Sequence, residues 1–166
     1  MSWYNWFSPA QRNKKGRDRL KRIKNGETFP THGQCTLCGD PDVDIEPHSE
    51  DYSEPFAWSE PAVYYLCVAC HKSHLHKRFN SKNSWLTHLA HVRRGGYSSD
   101  RKSSEIVAEL TAYKAALDRS EIPTPLKGLG RMRHFVDSPW WECLTMDRSS
   151  IEGPNHRARH DSDYSA

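Results

Sequence analysis

The spacing of apolar and polar positions changes several times along the chain, and each change marks an element. Residues 11–24 read QRNKKGRDRLKRIK. Leu20 and Ile23 are the only apolar anchors and Gly16 interrupts, so this basic arm supports a helix only loosely. Gly26, Pro30 and Gly33 then mark a linker. Val43-Asp44-Ile45-Glu46 alternates apolar and acidic, as a short strand does. Turn residues and acids fill His48 to Pro61, and Ala62-Val-Tyr-Tyr-Leu66 predicts a second strand, β-branched and aromatic. No Gly or Pro intervenes from Val68 to Phe79, which predicts a helix. Two further helices follow. Ser84–Arg93 carries Trp85, Leu86, Leu89 and Val92 on one side and stops at Gly95-Gly96. Ser103–Leu117 spaces Ile106, Leu110, Tyr113 and Leu117 by helical turns behind a Ser103 or Ser104 cap. Ser138-Pro139-Trp140-Trp141-Glu142 resembles another helix start, and the polar tail from 152 is expected to be disordered. The pattern predicts an α+β protein divided as a basic arm and linker at 1–33, a central unit at 34–80, a helical extension at 81–151 and a tail at 152–166.

Composition changes this picture in one respect. Of the 166 residues 36% are hydrophobic and the mean hydropathy is −0.89, which is thin for one large apolar core and suits a metal staple or disordered ends. The net charge of +3 hides segregation. Residues 1–34 hold eight Lys/Arg against two acids, residues 39–61 hold eight acids and no Lys/Arg, and residues 71–102 hold eight Lys/Arg against Asp100 alone. No apolar run approaches the length of about 18 residues that reads as a membrane span, and the aromatic start Trp3-Tyr4-Asn5-Trp6-Phe7 is no signal peptide. A cytoplasmic location without membrane contact is the expectation, and there paired cysteines read as metal ligands rather than disulfides.

Cys35-x-x-Cys38 and Cys67-x-x-Cys70 are separated by the 28 residues Gly39–Leu66. Each pair can turn tightly enough to offer two thiolates to one tetrahedral zinc, and four soft ligands close the shell as a structural Zn²⁺ site. Iron on the same ligands stays open. Cys67-Val-Ala-Cys70-His71 also fits the C-x-x-C-H haem pattern, but that reading leaves Cys35 and Cys38 idle. Cys143 stands alone and receives no role. His48, His71, His74 and His76 surround the paired cysteines. On the predicted helix His71 and His74 share a face, with His76 near its end. They read either as surface histidines or as ligands of a second metal.

C-x-x-C, a strand ending in histidine, then a strand leading into Leu66-Cys67-x-x-Cys70-His71 and a further histidine together resemble the zinc-stapled HNH endonucleases. EPHSEDYSEP and YYLCVACHKSHLHKRF also look like small HNH-related proteins of bacteria and their mobile elements. The resemblance covers about residues 35–79. It implies a ββα-metal, treble-clef-like unit with additional C-terminal helices. It implies His48 as general base, and His71 and His76 as catalytic residues and ligands of a Mg²⁺ or Mn²⁺ ion that serves phosphodiester cleavage. Two positions depart from the family pattern. Ala62 stands where an Asn is usual, and Pro47 where a His or Asp often precedes the base. Glu46 or Asp51 are the carboxylates available to complete the ligand set. The alternative is a catalytically inactive HNH-like module that binds protein or nucleic acid, such as an accessory or inhibitor protein of a mobile element.

DNA is the expected partner, and a protein partner stays open because the acidic block suits a basic surface. Lys14, Lys15, Arg17, Arg19, Lys21, Arg22 and Lys24 of the arm, with Lys77 and Arg78, are the candidate phosphate contacts. The aromatics at 3–7 and at 140–141 suit either stacking on a partner or packing in a small core.

Overall fold

The computed structural model describes residues 1–131 and 139–154. The described chain is α+β. Helix α1 spans Pro9–Lys24, and a three-stranded antiparallel sheet follows in the order β1 (His32–Gly33), β2 (Val43–Ser49), β3 (Val63–Cys67). A π-helical turn at Ala69–Leu75 leads to α2 (Lys82–Arg93), a 3-10 turn at Ser98–Lys102 and α3 (Ser104–Asp118). A 3-10 turn at Trp140–Cys143 and the short α4 (Ser149–Glu152) complete the described elements. In the β1–β2 pair His32 faces Asp44 and Gly33 faces Val43. The expected disorder of the tail concerns mainly residues 155–166, which lie outside the described residues, as does Ser138 of the predicted helix start.

Two compact units share the chain. One takes residues 1–29, 48–64 and the segment from 145, the other residues 30–47 and 65–144.

In the first unit, α1 is far better defined than its hydropathy suggests. Ser8 caps it reciprocally with Gln11, and Pro9 opens it where a missing N–H costs nothing. Its apolar side chains are not its anchors, because Leu20 and Ile23 are exposed. The helix is held instead by cationic side chains laid over aromatic rings. Arg12 sits 5.4 Å from the Tyr4 ring centroid, Lys15 lies 5.0 Å from Trp58, and Arg19 lies 5.1 Å from Phe29. Ahead of the helix, Tyr4 and Phe7 bridge across a tight turn in which Asn5 and Trp6 both have positive φ, 51° and 69°. The turn is held by Asn5 Nδ2 donating to the Glu50 backbone oxygen at 3.1 Å and by the Trp6 N–H donating to Ser150 O at 3.1 Å. Such left-handed residues persist only where the surroundings hold them.

In the second unit, Leu66, Leu75, Trp85, Leu89, Val92 and Leu110 are buried between the sheet end, the π-turn, α2 and α3. The predicted stop of α2 is a Schellman ending. Gly95 N–H donates to Val92 O at 3.0 Å and Gly96 N–H to His91 O at 2.8 Å, with Gly95 at φ 92°. A Cβ on Gly96 would stand 2.4 Å from the ring of the fully buried His91, so only glycine fits. Asn83 Nδ2 donates to Asp118 Oδ1 at 2.9 Å, and Arg94 pairs with Glu109, tying α2 to α3 twice.

Candidate metal centre

The four paired cysteines come together in the second unit. Their Sγ atoms all lie within 4.8 Å of one another, and each cysteine is buried. A tetrahedral zinc with bonds of about 2.3 Å needs its sulfurs about 3.8 Å apart, so the donor set and its spacing fit that ion. Each pair forms the same knuckle: Cys38 N–H donates to Cys35 Sγ at 3.4 Å, and Cys70 N–H to Cys67 Sγ at 3.4 Å. The first knuckle closes on Gly39, whose φ of 73° suits glycine and whose N–H donates to Cys35 O at 2.8 Å. Thr36 ties that knuckle to β3, both its N–H and its hydroxyl donating to Tyr65 O.

As free thiols the four partition their protons unequally. Hydrogen bonds from Cys38, Cys67 and Cys70 hold Cys35 far below the usual thiol range. Cys38 is brought to about 6, the opposing effect of Cys35 being outweighed by Cys67 and Cys70. Cys35 and Cys38 in turn push Cys67 up, and burial pushes Cys70 well up. Four thiolates at this spacing repel one another without a cation, and a divalent ion is what lets all four deprotonate.

Cys70 has two partners the sequence did not announce. Its sulfur lies 2.9 Å from Ser98 Oγ and 3.4 Å from His88 Nε2. Burial holds His88 well below the usual histidine range, so the ring is neutral. Ser98 comes from the 3-10 turn, which the Ser99 hydroxyl fastens to the first knuckle by donating to Asp40 Oδ2 at 2.5 Å. No spacing rule links residues 18 and 28 positions downstream to a ligand, which is why only the fold reveals them.

The histidines divide otherwise than an α-helix predicts. His76 N–H donates to His71 O at 3.1 Å, an i→i+5 bond that widens the turn. Residues five apart therefore meet, and the His71 and His76 rings stand 4.3 Å between centroids. His74, expected to share the His71 face, instead stacks on His88 at 3.7 Å and 9°. Burial, aided by the nearby Arg101 charge, brings His74 down to about 3. Glu46 of β2 meets His71: Nδ1 lies 2.6 Å from Oε1, and Lys72 Nζ is 3.1 Å from Oε2. Burial by itself raises the Glu46 carboxyl, but the hydrogen bonds from His71 and Lys72 outweigh it and the net shift is downward. Glu46, His71 and His76 thus form one cluster within this unit.

His48 belongs to the other unit, where it is buried at the end of β2. There Nε2 faces Glu50 Oε1 and lies 3.1 Å from Tyr4 Oη, and Tyr4 Oη donates to the same Glu50 oxygen at 2.8 Å. The carboxylate that orients His48 is therefore Glu50, two positions further along. Asp51 points its Oδ1 to the Ser53 N–H at 2.8 Å.

Comparison with protein-family models, curated proteins and solved structures finds no match for this chain.

Of the candidate phosphate contacts, two are not at the surface. Arg78 is fully buried, lying 4.0 Å from the Phe79 ring centroid and donating to Leu75 O. Lys15 is buried with Nζ donating to Asp51 O at 2.7 Å. Burial lowers its ammonium to about 8, against the opposing pull of Asp51 and Asp18. Arg22 pairs with Asp18 at 2.8 Å and with Glu27 at 3.3 Å. Lys14, Arg17, Lys21 and Lys24 are exposed. They recur at intervals of three and four and so line one face of α1 over about 15 Å. Among the described residues no helix is long and apolar enough to cross a membrane.

Proposed function

We propose that the chain is a zinc-stapled, HNH-type nucleic-acid-binding protein whose central ββα-metal, treble-clef-like unit cleaves phosphodiesters with a divalent ion. The observation that carries this reading is the Glu46–His71–His76 cluster, directly attached in sequence to the four-cysteine site. The cysteines would hold a structural zinc with no open position, since all four ligands are soft and buried. Glu46 offers the hard oxygen that Mg²⁺ or Mn²⁺ favours, and His71 and His76 add two imidazoles, which suit softer divalent ions better. Such an ion would polarise the phosphate and stabilise the leaving oxygen.

His48 is assigned the general base. Its hydrogen bond with Glu50 is the orienting contact that a base needs, because it fixes the direction of the imidazole. The exposed cationic face of α1 supplies sequence-independent attraction for the nucleic-acid backbone. DNA is the substrate proposed.

One observation favours the inert alternative. Both Glu46 oxygens are already engaged, by His71 and by Lys72, and a ligand must be released from such partners before it binds an ion. The nicking of supercoiled plasmid by zinc-loaded protein in Mg²⁺ or Mn²⁺ separates the two. The nuclease reading expects nicking that is lost in both His48→Ala and His71→Ala while zinc content is retained. DNA binding without nicking in any divalent metal assigns the chain to the inert module. Neither binding nor nicking rejects the HNH reading.

A further inference from the structure

The second unit contains a cavity of about 330 Å³ between the end of the π-turn, α2 and α3, distinct from the cysteine cluster itself. Three cations line it, Lys77, Arg101 and Lys114, and no carboxylate does. Lys114 is partly satisfied by Asp118 at 2.5 Å on its own helix. Arg101 has Nε buried without a hydrogen-bond partner among the described residues, and burial lowers the guanidinium's affinity for its proton against the pull of Cys70. A guanidinium nitrogen held out of water without an acceptor is costly, and an anion is its natural complement. Trp85, Val107 and Leu110 also line it, Val107 being 42% exposed, among several Ser and Thr hydroxyls.

We propose that this cavity is a binding site for a small phosphate monoester, with the phosphate held by Lys77 and Arg101, assisted by Lys114, and the body of the molecule against Trp85, Val107 and Leu110. Like charges gathered around one concavity raise the local concentration of anions. Arg101 adds the planar donor geometry that phosphate oxygens accept. The volume falls at the lower end of the range of small-ligand pockets, and the hydroxyls around the three cations add further donors for phosphate oxygens. A bare nucleic-acid backbone would leave Trp85, Val107 and Leu110 unused, which is why a small ester is favoured over a polymer.

Adenosine 5′-monophosphate is a suitable probe, measured by calorimetric titration into the zinc-loaded full chain alongside adenosine and inorganic phosphate. The expected result is saturable one-to-one binding of the monophosphate, with adenosine weaker by at least about tenfold because it lacks the charge-assisted contacts. Lys77→Gln and Arg101→Gln should each weaken the monophosphate by a similar factor. Val107→Asp, which sets a carboxylate in the lining, should remove binding. Lys77 and Val107 are exposed, so these two variants keep the test open if Arg101→Gln fails to fold. Absence of binding by both monophosphate and inorganic phosphate at millimolar concentration overturns the proposal. So does binding that Lys77→Gln and Val107→Asp leave unchanged. Displacement of the monophosphate by single-stranded oligonucleotides, ever more tightly as their length grows, overturns it in favour of a polymer groove. Plasmid nicking by Val107→Asp is read in parallel and should match the parent, so that loss of this site is distinguishable from failure of the nuclease.

Discussion

At the scale of single residues, the contacts around Cys70 show how far a metal site extends beyond its ligands. Ser98 Oγ and His88 Nε2 both approach the Cys70 sulfur, and each can donate to a thiolate, drawing off part of its charge. Outer partners of this kind typically contribute 10–100-fold to metal affinity. Ser98→Ala is therefore expected to weaken zinc retention by about tenfold in a chelator competition, with the stoichiometry unchanged. Lys15 supplies a second residue-level test. Its folded value of about 8 lies below the ordinary lysine value of 10.5. Between those two values the unfolded chain binds more protons than the folded one, so stability must rise with pH across the window. Below about pH 8 the cost of burying the charge is present in full. Urea midpoints followed from pH 7.5 to 10.5 should climb in the parent, and the climb should flatten in Lys15→Met.

At the scale of elements, legibility in the sequence depended on what holds each element down. The paired cysteines were readable because a knuckle fixes the spacing of its own ligands. Helices α2 and α3 were readable because Trp85, Leu89, Val92 and Leu110 bury apolar surface at helical intervals. Helix α1 was hidden because its buried face is made of Arg12, Lys15 and Arg19 over aromatic rings, and residue hydropathy counts those stems as polar. The π-turn was hidden as well. One extra residue per hydrogen-bonded ring leaves no mark in composition, yet it decides that His71 meets His76 and not His74. Of the candidate site, the ligating cysteines and the Glu46–His71 contact were foreseeable, whereas Glu50 beside His48 was missed although its i+2 position on the same strand run was available. The helix also carries its own prediction. Replacing Lys14, Arg17, Lys21 and Lys24 together by Gln should leave the docked face intact. If the exposed face contacts duplex DNA, the slope of log affinity against log salt should fall by about 3 to 4, one counterion for each charge removed. An unchanged slope assigns that face to a protein surface.

At the scale of the whole molecule, the small apolar content and the four-thiolate site belong together. Each unit is built from segments distant in sequence, and strands β2 and β3 each run from one unit into the other. Removing zinc should therefore be felt along the second unit. Elemental analysis is expected to find about one zinc per chain, since four ligands complete one tetrahedral shell. Cys67→Ser, or a strong chelator, should abolish cooperative unfolding in the second unit and raise hydrogen exchange along β3. Stoichiometric zinc loss with unchanged exchange would refute a structural role for the metal.

The two knuckles are each local, but an ion bound between them would close a chain of 28 residues, Gly39–Leu66. In polymer terms the metal is a crosslink, and the entropy of closing a flexible ring grows only with the logarithm of its contour. Ten residues added at the exposed stretch 53–55 would cost about 0.3 kcal/mol on that count. The spacing within each C-x-x-C pair is rigid, set by a single N–H···S contact, while the spacing between the pairs is nearly free. Length variation in this fold should therefore accumulate in the acidic connection, where the chain can lengthen without the crosslink registering it.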